Sequence, residues 1–381
     1  MHSHAIDTRM RIGFDSQTCT TNRTGTGIYS RNLLQRLEEN NSFAKVIRVC
    51  PTIRRIRSNF IAAKLANACL DILYMQCWYP FTAMRLKLDL VHYPANIVPI
   101  FGSHKKVVTI HDMSFVAFPD SYDVWFRRYF TFLVRVSARR ADHIITVSEA
   151  SKSDIVRLCG VRADKVSVIS LGVDPTWSHN RAIDRTGSQD EEIPTPDRYV
   201  LAVGEFAPRK NLGRLIEAFD QMVRRLPDIN YQLVLIGPAY RRVYEEHLQQ
   251  LKHQVRKLKL EHRIHFIIDA PQSTLIEFMR KADALAFVSL HEGFGLPILE
   301  AMLTGIPVLC ADTSSIPEVA KGAALYVNAF DTTDIAAGLQ KILLDQTLRQ
   351  ALIARGMKRA AQLNWEETAR KTLEVYRLVL H

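Results

Sequence analysis

The strongest constraint on this chain is a repeated alternation. Apolar runs of strand length, each followed by a helical pattern, recur in two arrays of similar size along 381 residues. The first array passes through Met10–Asp15, Val46–Cys50, Leu88–Pro94, Lys106–Asp112, the strand-into-helix stretch Ala141–Ser151, and Val166–Ile169. The second passes through Tyr199–Gly204, Tyr231–Gly237, Arg263–Ile268, Ala284–Val288 and Ile306–Cys310. Between them Ser178–Asp197 has few apolar residues and carries Pro194 and Pro196, so it reads as a linker. Strands separated by helices form parallel sheets whose faces the helices cover. The length suits two ordinary domains, each with its own core. The expected fold class is α/β, with Rossmann-like domains over residues 1–177 and 198–364, a linker over 178–197 and a final amphipathic helix over 365–381.

Open sheets of this kind place their ligands beyond the carboxyl ends of the strands. After Ala284–Val288 comes Ser289-Leu290-His291-Glu292-Gly293-Phe294-Gly295-Leu296-Pro297-Ile298-Leu299-Glu300. Pro297 in the first turn and Gly305 just past the end mark a helix. Its N-terminus offers backbone N–H groups and partial positive charge, and Gly293 and Gly295 let the backbone approach a ligand closely. Glu292 and Glu300 bracket the turn. On one continuous helix they would stand roughly 12 Å apart along the axis. A glycosidase pair spans at most about 9.5 Å. They read as two ligands for separate parts of one elongated molecule, an anion that also carries hydroxyls.

A second strand end carries Gly204-Glu205-Phe206-Ala207-Pro208-Arg209-Lys210-Asn211, ahead of a helix with Leu215, Ile216 and Phe219 on its apolar face. A charge pair in a loop is ordinarily just solvated. Beside a helix N-terminus it suits a diphosphate: Arg209 can grip it bidentately, and Lys210 supplies a point charge. In the first array, Met10–Asp15 leads to a polar loop ending Thr24-Gly25-Thr26-Gly27-Ile28-Tyr29, then to a helix through Leu33, Leu34 and Leu37. The G-x-G-x-x-G fingerprint is incomplete and no acidic residue closes the second strand, which argues against NAD. His111 and Asp112 end the fourth strand, where a histidine is ordinarily structural. Ser148 reads as a helix N-cap.

These residues also carry a resemblance. Glu292 and Glu300 around Gly-Phe-Gly-Leu-Pro resemble the E-x7-E signature of retaining GT-B glycosyltransferases of the glycosyltransferase 4 (group 1) family. Gly305–Val308, Ser314–Val319, the Pro-Arg-Lys-Asn segment, His111-Asp112-Met113 and the Gly25–Gly27 loop are similar to that family's pattern, so the resemblance covers essentially the whole chain. It implies a GT-B fold: two facing domains with a cleft, and a C-terminal helix returning to the first domain. It implies a nucleotide-sugar donor as substrate, with no cofactor and no metal. Glu292 would hold hydroxyls of the donor sugar and Glu300 the ribose. The backbone around Gly293, Phe294, Gly295 and Leu296 would bind sugar hydroxyls or phosphate. Gly25 and Gly27 would approach the donor phosphates, and His111 would border the transferred sugar. Arg209 and Lys210 would stabilise the departing diphosphate during front-face transfer with retention. The wording of the motifs is similar to bacterial mannosyltransferases of polysaccharide assembly, making GDP-mannose the expected donor, with UDP- and ADP-sugars as alternatives. Glu205 departs from the family, where Arg or Thr often follows the glycine, and this puts a phosphate contact from position 205 in doubt. The same fold also hosts epimerases and phosphorylases.

Charge adds an expectation about partners. The net charge is +11, and residues 1–180 hold 24 Lys+Arg against 14 Asp+Glu, whereas residues 181–381 hold 26 against 25. A basic first half suits a membrane surface or a lipid-linked acceptor. Nucleic acid would also answer the charge, but no reader motif accompanies it, so no nucleic-acid partner is expected. The stretch Phe60–Met75, flanked by Arg54, Arg55, Arg57, Trp78 and Tyr79, reads either as an interfacial helix or as one packed on the first sheet; Lys64, Asn67 and Asp71 make it too polar to span a bilayer. Six scattered cysteines without CxxC spacing and a polar N-terminus point to a reducing, cytoplasmic setting, at the inner face of the membrane if an acceptor is held there.

Overall fold

A computed structural model describes residues 10–21, 25–39, 44–50, 67, 70, 72–178 and 193–381. Most of the Phe60–Met75 stretch and most of the linker expected over 178–197 lie outside the described residues. The chain separates into two compact units. One comprises residues 1–113, 128–171 and 365–381, the other 114–127 and 172–364.

The first unit holds six parallel strands: β1 (Met10–Asp15), β2 (Ala44–Val49), β3 (Leu90–Tyr93), β4 (Lys105–Thr109), β5 (His143–Thr146) and β6 (Val166–Val168). Their order is β2-β1-β3-β4-β5-β6. All four residues of β3 and of β5 are buried, as strands covered on both faces must be. The helix Gly25–Glu39 buries Tyr29, Leu33, Leu34 and Leu37. It begins at Gly25, so both glycines of the expected loop sit in its first turn. The helix Trp365–Leu380 belongs to this unit. Thr368 Oγ1 donates to the Ser170 carbonyl at 2.9 Å, and Tyr376 reaches His92 of β3 at 2.6 Å. Ser148 caps the helix Glu149–Cys159 by accepting from Ser151 N, as its position in sequence implies.

The second unit holds β7 (Tyr199–Val203), β8 (Gln232–Gly237), β9 (Ile264–Ile268), β10 (Ala284–Phe287), β11 (Val308–Ala311) and β12 (Leu325–Val327), in the order β12-β11-β10-β7-β8-β9. Five of these match expected runs; β12, only three residues long, carries too short a pattern to read. The core beneath this sheet includes Leu215, Ile216 and Phe219 from the helix Leu212–Arg225, packed with Leu235, Ala286, Leu309 and Leu339. The sheet reverses its order of addition between β7 and β10. From β7 the chain adds β8 and β9 on one side and then β10 to β12 on the other. Such a switch point leaves a crevice at the strands' carboxyl ends, because the two loops leave in opposite directions.

Among the described residues no helix is long and apolar enough to cross a membrane.

Candidate active site

The loops leaving β7 and β10 flank that switch point, and this is what brings residues 82 and 83 positions apart into contact. After β7 the chain makes a 3-10 turn, Pro208–Lys210, and Asn211 follows in the left-handed region at φ +60°. Asn211 is held there by its own side chain, which donates to the Val288 and Ala329 carbonyls at 3.1 and 2.7 Å. The backbone of Arg209 is pinned on both sides: its N–H meets Ser121 Oγ at 3.3 Å, and its carbonyl accepts from Leu290 N at 2.8 Å.

After β10 the loop delivers Glu292 ahead of the helix Leu296–Thr304. Gly295 precedes that helix at φ +108°, a conformation a side chain would strain. Glu292 therefore lies outside the helix that contains Glu300, and the axial spacing of a continuous helix does not apply to the pair. Glu292 N donates to Ser314 Oγ at 2.9 Å, and Ser315 Oγ donates to the carbonyls of Glu292 and Phe294 at 2.9 and 3.0 Å. The loop is thus laced to the turn after β11.

The side chains converge on one buried ion cluster. Lys210 Nζ donates to Glu292 Oε1 at 2.6 Å. Arg209 Nη1 donates to Glu292 Oε2 at 3.1 Å and to the His291 carbonyl at 3.2 Å. All three charged side chains are no more than 10% exposed. Burial alone would push the Glu292 carboxyl up, but Lys210 and Arg209 outweigh it and hold the group down at about 2. Burial likewise lowers Lys210, and the Glu292 charge beside it keeps the ammonium in the ion pair. Lys210 Nζ also lies 5.1 Å from the centre of the Phe287 ring.

Glu300 has the opposite surroundings. It is buried on the helix Leu296–Thr304, and none of the described hydrogen bonds or ion pairs reaches its carboxyl. Burial, with a smaller contribution from Asp174, raises it from 4.5 to about 8. Two carboxylates eight positions apart are therefore kept in different protonation states at neutral pH by their neighbours alone.

In the first unit, His111 follows β4. A carbonyl only accepts, so the 3.0 Å contact with the Pro94 carbonyl makes His111 Nε2 the donor and leaves the lone pair of the neutral ring on Nδ1. Burial lowers its pKa, and Tyr29 packs edge-on at 4.9 Å. Gly27 is buried beside Tyr29 in the same helical turn, while Gly25 is exposed with open space around it. Arg209, Lys210 and Glu292 thus meet in one cluster of the second unit, the Gly293–Leu296 backbone adjoins them in chain, and Gly25, Gly27 and His111 belong to the first unit.

Sequence reasoning missed Ser121, Asn211 and Tyr240 as builders of the site. Asn211 had a legible signal in its place after Pro-Arg-Lys; Ser121 and Tyr240 had none, since only tertiary packing brings them near. Among the described residues no group of three or more His, Cys, Asp and Glu converges as a metal ligand set.

An ionised carboxylate gripped by two buried cations stands at a switch point, with a helix N-terminus alongside, the place where open α/β sheets bind their ligands. Comparison with known proteins gives the chain a family. Residues 184–359 match the family model of group 1 glycosyl transferases, and residues 24–177 match that of glycosyltransferase family 4. The O-antigen chain mannosyltransferase B of Escherichia coli is 31% identical over 311 residues, 80% of this chain and 77% of that protein. The serotype-specific mannosyltransferase WbdA of Escherichia coli is 27% identical over 320 residues, 83% of this chain but only 38% of that longer protein. Among solved structures, a sucrose-phosphate synthase from Thermosynechococcus elongatus superposes with a TM-score of 0.75 at 20% identity, over 97% of this chain and 99% of that one. The chain belongs to the glycosyltransferase 4 (group 1) family, with the GT-B fold, and is a glycosyltransferase.

Proposed function

We propose that the protein transfers a mannosyl group from GDP-mannose, with retention and without a metal ion, to a glycan or lipid-linked oligosaccharide in bacterial polysaccharide assembly. The single observation that carries this reading is the Arg209–Lys210–Glu292 cluster at the β7 and β10 ends. The mannosyltransferase names of two relatives support the choice of sugar; the guanosine base is the part of the proposal that the donor test below decides.

In this reading the bond between the anomeric carbon and the diphosphate oxygen breaks as the acceptor oxygen adds on the same face. The acceptor's proton passes to the departing phosphate oxygen. Arg209 and Lys210 exchange part of their pairing with Glu292 for the diphosphate and offset the charge that grows there, the role a divalent cation would otherwise fill. Glu292 stays ionised and accepts from donor-sugar hydroxyls. Glu300 takes the ribose, with the Gly293, Phe294, Gly295 and Leu296 backbone on sugar or phosphate oxygens. Gly25 and Gly27 approach the phosphates, and His111 offers its Nδ1 lone pair to a sugar hydroxyl. With no nucleophile or base of its own in the reaction, the protein works by positioning and by charge.

Association with the inner face of the membrane belongs to the same proposal. The basic first half supports it, as do Trp125, 80% exposed, and Phe132, 63% exposed, on the helix Val124–Arg140 with its five arginines.

The test is turnover of GDP-mannose, UDP-glucose and ADP-glucose with a membrane extract as acceptor, with and without EDTA, and NMR of the product's anomeric proton. Turnover of GDP-mannose in EDTA with an α-product is expected. Turnover of another donor alone, loss of activity in EDTA, or an inverted product would each remove the corresponding part of the proposal.

A further inference from the structure

Glu205 stands where the resembled family often carries Arg or Thr, and the structure gives it two partners. Arg209 Nη2 donates to Glu205 Oε2 at 3.3 Å, while the opposite oxygen, Oε1, accepts from the Tyr240 hydroxyl. Arg209 is consequently held between two carboxylates, Glu292 on Nη1 and Glu205 on Nη2. Burial and the Glu205 charge both raise the Tyr240 phenol, so it stays protonated and donates.

Three elements place this arrangement. β7 and β8 are hydrogen-bonded neighbours, and their following loops approach closely because Gly237 has no side chain: a Cβ there would lie 1.8 Å from the Gly204 carbonyl oxygen. Phe206 N then donates to the Pro238 carbonyl at 3.2 Å, which sets the register of Glu205 against Tyr240. Next to Tyr240, Arg241 is packed against four aromatic rings, Tyr122, Phe126, Tyr240 and Tyr244, at 5.3, 5.1, 5.8 and 5.6 Å. The Tyr240 end of the contact is thereby anchored by cation–π packing rather than left on a loose loop.

A second carboxylate beside a cation that must stabilise a leaving diphosphate has a cost, because it neutralises part of the charge. What it returns is geometry. A planar guanidinium gripped on both terminal nitrogens cannot swing, and electrostatic stabilisation depends on a donor already aimed where charge will develop. We propose that Glu205, oriented by Tyr240, is a positioning residue that fixes the Arg209 guanidinium for the leaving diphosphate. This rests on the role proposed above for Arg209. The contribution of Glu205 to the diphosphate site is indirect, through Arg209.

The experiment is steady-state kinetics with GDP-mannose on Glu205→Ala, Glu205→Gln, Tyr240→Phe, Arg209→Lys and the double variant Glu205→Ala/Arg209→Lys, with thermal melts to confirm folding. Misplacement of a group that acts in the transition state lowers kcat and spares the donor KM. Glu205→Ala is expected to lower kcat about tenfold with KM changed less than about threefold. Glu205→Gln keeps a neutral acceptor and is expected to lose less, and Tyr240→Phe less again. In the Arg209→Lys background, removal of Glu205 is expected to cost nothing further, since the group it positions is gone. Unchanged or raised kcat in Glu205→Ala, an effect confined to KM, or full additivity in the double variant would each overturn the proposal. An Arg209→Lys variant with wild-type kcat would instead overturn the role of Arg209 itself, and that outcome is separable from the others.

Discussion

At the carboxyl ends of β7 and β10 a buried carboxylate stands 2.6 and 3.1 Å from two cations and stays ionised to about pH 2. At the carboxyl ends of β3 and β4, in the other sheet, buried polarity is handled without charge. His92 shares hydrogen bonds with Tyr376 at 2.6 Å and Thr109 at 2.8 Å, and Thr109 meets Tyr29 at 2.8 Å. Burial drives His92 down to about 3, so the ring is neutral. Two sheets of the same architecture thus solve the same problem differently. At β7 and β10 buried charge is compensated by opposite charge; at β3 and β4 the hydrogen-bonded groups are neutral. The first solution suits a diphosphate, which can take over the cations. The second suits neutral hydroxyls and a rigid platform.

The largest effect should come from breaking the charged side. Lys210→Ala is expected to lower kcat about 10²–10³-fold, the usual consequence of removing one transition-state donor. Steady-state turnover checks it, and a loss under threefold would mean the cluster only supports the loop. Glu292→Gln leaves buried Lys210 without its ion-pair partner and Arg209 with Glu205 alone, and breaking a buried pair typically costs about 3–5 kcal/mol. Its signature is in the acid limb. Glu292 is depressed from its ordinary 4.5 to about 2, so its stabilising contribution is complete above 4.5 and lost as pH falls toward 2. Denaturant titrations should show wild type losing stability across that window and the variant losing less.

Glu300 sharpens the comparison, because it is a carboxyl of the charged unit that lacks a cation. With its pKa raised from 4.5 to about 8, the folded protein binds a proton that the unfolded chain has released. Stability therefore falls as pH rises from 4.5 to 8. Glu300→Gln should abolish that slope and, without ligand at pH 8.5, raise the apparent Tm by about 2–4 °C per kcal/mol recovered. Equal melting of variant and wild type from pH 5 to pH 8.5 would show that the carboxyl is not desolvated. The smallest effect belongs to the neutral side. Tyr376→Phe deletes one hydrogen bond to a buried imidazole and should cost about 1–3 kcal/mol of stability with kcat unchanged. A drop in kcat as large as that of Lys210→Ala would erase the distinction between the two strand ends.

The organisation of the fold was legible in the chain because it rests on local rules. Alternating apolar runs and helical patterns marked both sheets, and Pro297 with Gly305 bounded the helix that carries Glu300. Spacing misjudged the start of Gly25–Glu39, since two glycines and a threonine look like a loop until tertiary packing buries Gly27 and Tyr29. The residue types of the site were legible as well: two basic residues after one strand, and two carboxylates around a glycine turn after another. Which of them meet was not. Strand order decides that, and order depends on non-local pairing that no window of sequence displays. The same holds for protonation. Glu292 and Glu300 are chemically identical in the sequence, and only the neighbours that folding supplies, two cations for one and none for the other, set them on opposite sides of neutrality. Glu205 makes the point once more: in the sequence it was an anomaly beside a phosphate motif, and the contact to Tyr240 that orients it toward Arg209 exists only where the loops after β7 and β8 meet in the folded chain.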